Sequence, residues 1–253
     1  MLFLLGAFVV LLLMVAGSRA FSLLFGLAIN LISIVALLIL IADGFNVLVT
    51  TAIISLIILI VAIYMNVENS NTANIAFKTS ILIVLIILLI TVPLEFWASA
   101  QGMGIEDQEE LEAFSLAAGV SFPQLAIAII VVNSLGVISE TSVAISSGLN
   151  EIILSKPTLT PKEVFADGFS VGNKILSTQT NTLLFNFFSA TFPLFFLMNS
   201  LNYKAVDVIN NKLLVAEILT MLICAMGVIL TVPITAYFVY RGVGKKSIDS
   251  IDK

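Results

Sequence analysis

Histidine is missing from this chain, and cysteine occurs once, as Cys224. Without histidine the usual general base near neutral pH and the commonest transition-metal ligand are both lost, and one cysteine cannot close an intrachain disulfide. Cys224 therefore reads as a small packing residue. There is no His-Glu-x-x-His pair for a metalloprotease, no histidine or lysine base for an intramembrane serine nucleophile, and no Walker or Rossmann glycine pattern. An aspartyl protease of the membrane needs two intramembrane aspartates, and Asp43 stands alone at a membrane edge. The expectation is a protein that is not an enzyme and has no cofactor or metal, with any energy input drawn from an ion gradient or another protein. Charge is also scarce. Only 11% of residues are charged, and 11 basic against 16 acidic residues give a net charge of −5 without a Lys/Arg stripe, which argues against nucleic acid.

What fills the 253 residues instead is apolar. Hydrophobic residues make up 60% of the chain and mean hydropathy is +1.15, too little polar surface for a soluble globule of this size. The fold class expected is all-α, a polytopic transmembrane helix bundle. A span needs about 20 apolar residues to cross about 30 Å of hydrocarbon, and seven stretches qualify: 2–17, 21–42, 45–66, 80–100, 123–149, 175–199 and 213–239. The first is the shortest. It has no basic n-region and is followed by Arg19, which favours an N-out anchor over a cleaved signal peptide. With the N-terminus outside, every basic residue except Lys204 and Lys212 falls on the cytoplasmic side, as the positive-inside rule requires. The expected location is therefore the inner, cytoplasmic membrane, with the C-terminus cytoplasmic.

Four regions follow from this pass. Residues 1–100 are nearly featureless Leu/Ile/Val spans that look like a lipid-facing scaffold, with Glu95 and Trp97 at an edge suited to an interfacial belt. Residues 101–122 form an outer loop carrying Glu106, Asp107, Glu109, Glu110 and Glu112, which serves either as a solvated barrier to membrane entry or as a cation or partner contact. Residues 123–240 are a polar-striped core, and 241–253 a basic tail that pins the last helix to the anionic inner leaflet.

Polar residues recur inside the last three spans at helical spacing. Asn133, Gly136, Glu140, Ser147 and Glu151 keep to steps of three, four and seven in the fifth; Asn173, Ser177, Thr180 and Asn181 share a face in the sixth; Glu217, Thr220, Cys224, Gly227, Thr231 and Thr235 do so in the seventh. Small and hydroxyl residues serve as helix–helix glue in lipid, and that reading covers the Ser, Thr and Gly positions. Glu140 differs, because glue needs no charge. An ionised acid at mid-bilayer costs at least roughly 2.5–3.5 kcal/mol, so it faces a bundle interior, a partner or a water path, where it can exchange a proton. Glu217, a few residues inside its span, is either a second such acid or a snorkelling edge residue.

Between the fifth and sixth spans, Lys156-Pro157 breaks one helix and Thr160-Pro161-Lys162-Glu163 is a capping box that starts the next. Residues 160–174 alternate apolar and charged positions as expected of a helix lying at the cytoplasmic interface, either coupling or merely surface.

Three blocks carry a resemblance. Gly136 to Glu151, Gly168 to Leu184 and Gly227 to Ala236, in that order, resemble the signature blocks of the YibE/F-like membrane proteins, a likeness that extends over about residues 75–240. It implies an integral bacterial membrane protein, often one of two related subunits, and hence a homologous YibE/F-like chain as partner in a hetero-oligomer. The family pattern usually has Asp where Glu140 stands and Arg-Asp where Asn173-Lys174 stand, which implies a divergent subunit whose partner supplies the missing acid. A looser similarity of order and spacing reaches the membrane halves of RND-type permeases and Sec accessory subunits, where intramembrane acids relay protons.

The function expected is transport or proton- or ion-coupled energy transduction. Glu140 is the protonatable switch, Asn133, Thr180 and Asn181 line its path, and Thr231 and Thr235 complete it, with Ser147, Asn173, Ser177 and Glu217 as further candidates. The rival expectation is a non-transporting assembly subunit whose polar stripe packs against the homologous chain.

Overall fold

A computed structural model describes residues 2–98, 100, 121–156 and 159–249. The acidic residues expected in the outer loop, Glu106 to Glu112, lie outside the described residues, as does Lys253. Among the described residues there is no strand, and eight helices follow one another: α1 (Leu2–Ala16), α2 (Arg19–Ala42), α3 (Val47–Tyr64), α4 (Ser70–Ala98), α5 (Phe122–Ser155), α6 (Pro161–Ser200), the short α7 (Ala205–Ile209) and α8 (Lys212–Asp249).

Six of these, α2 to α6 and α8, are long and apolar enough to cross a bilayer. Seven spans were expected. The difference is α1, whose 15 residues rise only about 22 Å, short of the roughly 30 Å of hydrocarbon. None of its described side chains is buried. Gly17 at φ +56° ends it, and Gly44 at φ +84° follows α2; both positions demand a left-handed backbone that glycine adopts without strain. Asn46 caps α3 by accepting from Val49 N at 3.1 Å. The exposed Arg19 at the start of α2 pairs with Glu68 just before α4, tying these two helix starts to one end of the bundle.

The central helix is α5, which touches α3, α4, α6 and α8. Leu59 and Ile63 of α3, Ile83 and Ile87 of α4, and Ile223 of α8 close around its Ile127, Ile130 and Ile138. So α3 and α4 are not a lipid-facing scaffold apart from the polar core; they enclose one side of it. The cause is visible on α4, where Ala73, Ala76, Thr79 and Ser80 make a small-residue face that lets α5 approach closely.

Residues 160–174 were expected to lie at the interface before the next span began. Instead α6 runs unbroken for 40 residues from its capping box, in which Glu163 N donates to Thr160 Oγ1 at 3.4 Å and Thr160 N donates to Glu163 Oε2 at 2.8 Å. The apolar side of this first stretch meets protein rather than lipid headgroups. Val164 is fully buried with Ile145, Leu149, Val232 and Val239. Gly168 and Gly172 then set α6 against Ala236 and Val232 of α8, a small-xxx-small contact where any side chain would collide.

Candidate functional site

Glu140 stands near the middle of α5, with at least about 22 Å of helix on either side. Its side chain is exposed on the outside of the chain, not enclosed by α5, α6 and α8, and no hydrogen bond or ion pair from the described residues reaches it. Asn133 and Gly136, on the same side of α5, are exposed as well.

Register shows what lies beside it. Gly148 of α5 abuts Val171 of α6, where a built Cβ would meet Cγ1 at 3.3 Å. The helices run antiparallel, so equal steps from that contact reach equal depths. About eight residues along each, Glu140 is level with Gln179 and Thr180; fifteen along, Asn133 is level with Asn186; one residue along, Ser147 is level with Gly172 and Asn173. Polar side chains thus recur at three depths about 10 Å apart on both helices. At the Glu140 depth, near the midpoint of α6, Ser177, Thr178, Thr180, Asn181 and Thr182 are all exposed and only Gln179 turns inward. Thr178, Thr180 and Thr182 give their hydroxyl protons to carbonyls four residues back, at 2.8 to 3.1 Å, which leaves the Asn181 amide as an uncommitted donor.

Thr231 and Thr235 do not join this group. Both are fully buried on α8, where Thr231 donates to Gly227 O at 2.7 Å. Buried hydroxyls also occur on α4 and α5, where Ser142 donates to Ser139 O at 3.0 Å and Ser80 donates to Ser142 Oγ at 2.8 Å. The adjoining Thr79 and Thr141, and Thr235 on α8, are buried with no hydrogen-bond partner for their hydroxyls among the described residues.

A second polar feature lies at the end of the bundle where α4 finishes and α8 begins. A cleft of about 240 Å³ is lined by Glu95 of α4, Thr191 of α6, and Glu217 and Thr220 of α8, among Ala126, Ile130 and Leu194. Glu95 is 1% exposed and Glu217 half-buried. Among the described residues that line the cleft none is basic, so its two carboxylates make the lining acidic. Among the described residues no three His, Cys, Asp or Glu side chains gather as a metal cluster would need.

The model of the family described as YibE/F-like protein matches residues 4–245, nearly the whole chain. The chain belongs to the YibE/F-like family. No curated protein and no solved structure matches it. Family membership and the six long apolar helices together make it an integral, multi-pass membrane protein.

In this YibE/F-like chain the acid enclosed by its own helices is therefore Glu95, which sequence reading left at a span edge, while Glu140 faces outward. The family match also extends well beyond the region of recognised blocks and takes in α1 to α3. A signal for the interior of α3 and α4 was present in Thr51, Ser55, Thr79 and Ser80, which keep to steps of four and one, and all four are buried.

Proposed function

We propose that this YibE/F-like chain is a non-enzymatic subunit of a cytoplasmic-membrane assembly that moves, or is driven by, protons or a small cation, and that another YibE/F-like chain completes its exposed polar face. Glu140 carries the reading. It is a carboxylate halfway along a membrane-length helix, exposed, unpaired among the described residues, and level with a run of polar residues on the neighbouring helix. Hydrocarbon gives such a group nothing to bond, at a cost of at least roughly 2.5–3.5 kcal/mol if it stays ionised, whereas a neighbouring chain can supply donors.

Coupling follows from the same placement. Adding a proton or a cation at Glu140 removes a negative charge from the contact between two chains, which biases how they pack. Asn133, Thr180 and Asn181 are the side chains beside that path; Thr231 and Thr235, on the interior side, act as packing glue. In the expected orientation the Glu95–Glu217 cleft opens toward the outer surface and offers a cation its first holding place.

The rival reading, a structural subunit that does not transport, is favoured by the same exposed face, and one comparison separates the two. In the reconstituted assembly, Glu140→Gln keeps the hydrogen bonds and removes the charge. Coupling requires that this variant assemble normally and lose proton- or cation-dependent flux, measured with a pH-sensitive dye in vesicles. Flux that survives Glu140→Gln, together with an assembly that falls apart on Glu140→Ala, leaves only the structural role.

A further inference from the structure

The reading above asks for a partner at the exposed face without choosing one; resting on that reading, we infer that the partner is a second copy of this chain, related by a twofold axis along the membrane normal. The argument starts from depth. Two copies inserted in the same orientation can be related only by an axis parallel to the normal, so each residue meets residues of the other copy at its own depth. A covering partner must therefore present hydrogen-bond donors at the depth of Glu140.

This chain does so. Asn181 lies about two residues from the Glu140 depth on α6, exposed, with its amide unused. The threonines around it have already committed their hydroxyl protons to their own helix, so the Asn181 amide, with the Ser177 hydroxyl one turn away, is left to donate to a carboxylate. Acceptor and donor thus stand at one depth on one outer face, which is what an isologous contact needs: Glu140 of each copy receives Asn181 of the other, twice over. The depth on one side repeats the match, with Ser147 level with Asn173; on the other, Asn133 is level with Asn186, which lies about 140° round α6 from Asn181 and so off this face. All of these lie on α5 and α6, and α6 buries few of its residues in its own chain, only 17% of its most apolar window. No basic side chain is required of the partner, because amide and hydroxyl groups satisfy the row in both directions. The exposed phenylalanines of α6, Phe185, Phe188 and Phe192, flank the polar stretch and give the contact apolar area.

The test uses full-length chains in native membranes. Two differently tagged copies, both carrying Cys224→Ala, are co-expressed, one with Glu140→Cys and the other with Asn181→Cys, so that any disulfide between the tags joins two copies. A disulfide needs Cα atoms within about 7 Å. The 140–181 pair should cross-link on mild oxidation, and a control pair of Asn133→Cys with Asn181→Cys, offset by about 8 Å in depth alone, should not. Co-purification of two tagged wild-type copies runs alongside and does not depend on the substitutions. Wild-type copies that co-purify without the 140–181 disulfide overturn the face assigned here. Tagged copies that never co-purify, while a different YibE/F-like chain does, overturn the second copy and leave the general partnership standing. Isolation of the chain as a monomer from native membranes overturns both.

Discussion

Gly172 on α6 lies so close to Val232 on α8 that a Cβ on the glycine would collide with the valine Cγ1. One turn earlier Gly168 meets Ala236 Cβ at 2.7 Å in the same way. These contacts fix the position of α6, and with it the outward direction of Ser177 and Asn181. Gly172→Ala should destabilise the protein by about 1–3 kcal/mol through overpacking. Adding Val232→Ala should recover part of that loss, since the colliding atoms belong to the valine. Thermal unfolding in detergent reads both, and equal stability of the single and double variants would show that α6 finds another seat.

Ser142 holds an asymmetric place in the interior. Its hydroxyl donates to Ser139 O, and Ser80 donates to it. Ser142→Ala strands the buried Ser80 hydroxyl at a cost of about 1–3 kcal/mol, whereas the double variant with Ser80→Ala removes both partners and should be closer to wild type. Chemical or thermal unfolding of the three variants checks the order, and a double variant worse than Ser142→Ala would contradict it.

At the start of α6 the carboxyl of Glu163 sits below the usual glutamate range, chiefly because Thr160 N donates to it, with the Thr160 hydroxyl and Lys156 adding to the effect. A lowered pKa means the cap is fully in place above the ordinary glutamate range and is lost as pH falls through the folded value. Amide exchange at the first turn of α6 should therefore quicken only in acid below that range. Thr160→Ala should quicken it at neutral pH too, with a loss of about 1 kcal/mol.

The two carboxylates of the cleft differ in burial, and their variants should differ accordingly. Glu95→Ala, at a site 1% exposed, should lower stability more than Glu217→Ala, which is half-buried. If the cleft holds a cation, Glu95→Gln and Glu217→Gln should each reduce the rise in Tm that added monovalent or divalent cations give the wild-type protein. A cation-induced rise unchanged in both variants would remove the cleft from the account.

The helices themselves were legible because hydropathy sets where a chain can cross a membrane and capping chemistry sets where a helix starts; Thr160 and Glu163 behave as their spacing requires. Periodicity also placed Glu140 and Asn133 on one side of α5 correctly. It could not say which way that side turns, because a stripe records which residues share a face and not what the face meets. That is why Glu140 is found outside, while Thr231 and Thr235, equally periodic, are inside. Glu95 was missed for a related reason. Near the end of an apolar run an acid reads as a boundary, and it is the packing of α5 and α8 against α4 that encloses it. The continuous α6 was hidden by charges at Lys162, Glu163, Asp167 and Lys174, which suit a surface helix until Val164 and Gly168 are seen to face protein.

The central claim is that protein, not lipid, covers the α5–α6 face. A nitroxide attached at Asn181→Cys in the Cys224→Ala background, in native-like bilayers, measures this directly through its collisions with oxygen dissolved in the hydrocarbon. The same label at the exposed Leu31 of α2 gives the reference for a lipid-facing site. The account predicts oxygen accessibility at position 181 well below that at position 31. Equal accessibility at the two positions would contradict it.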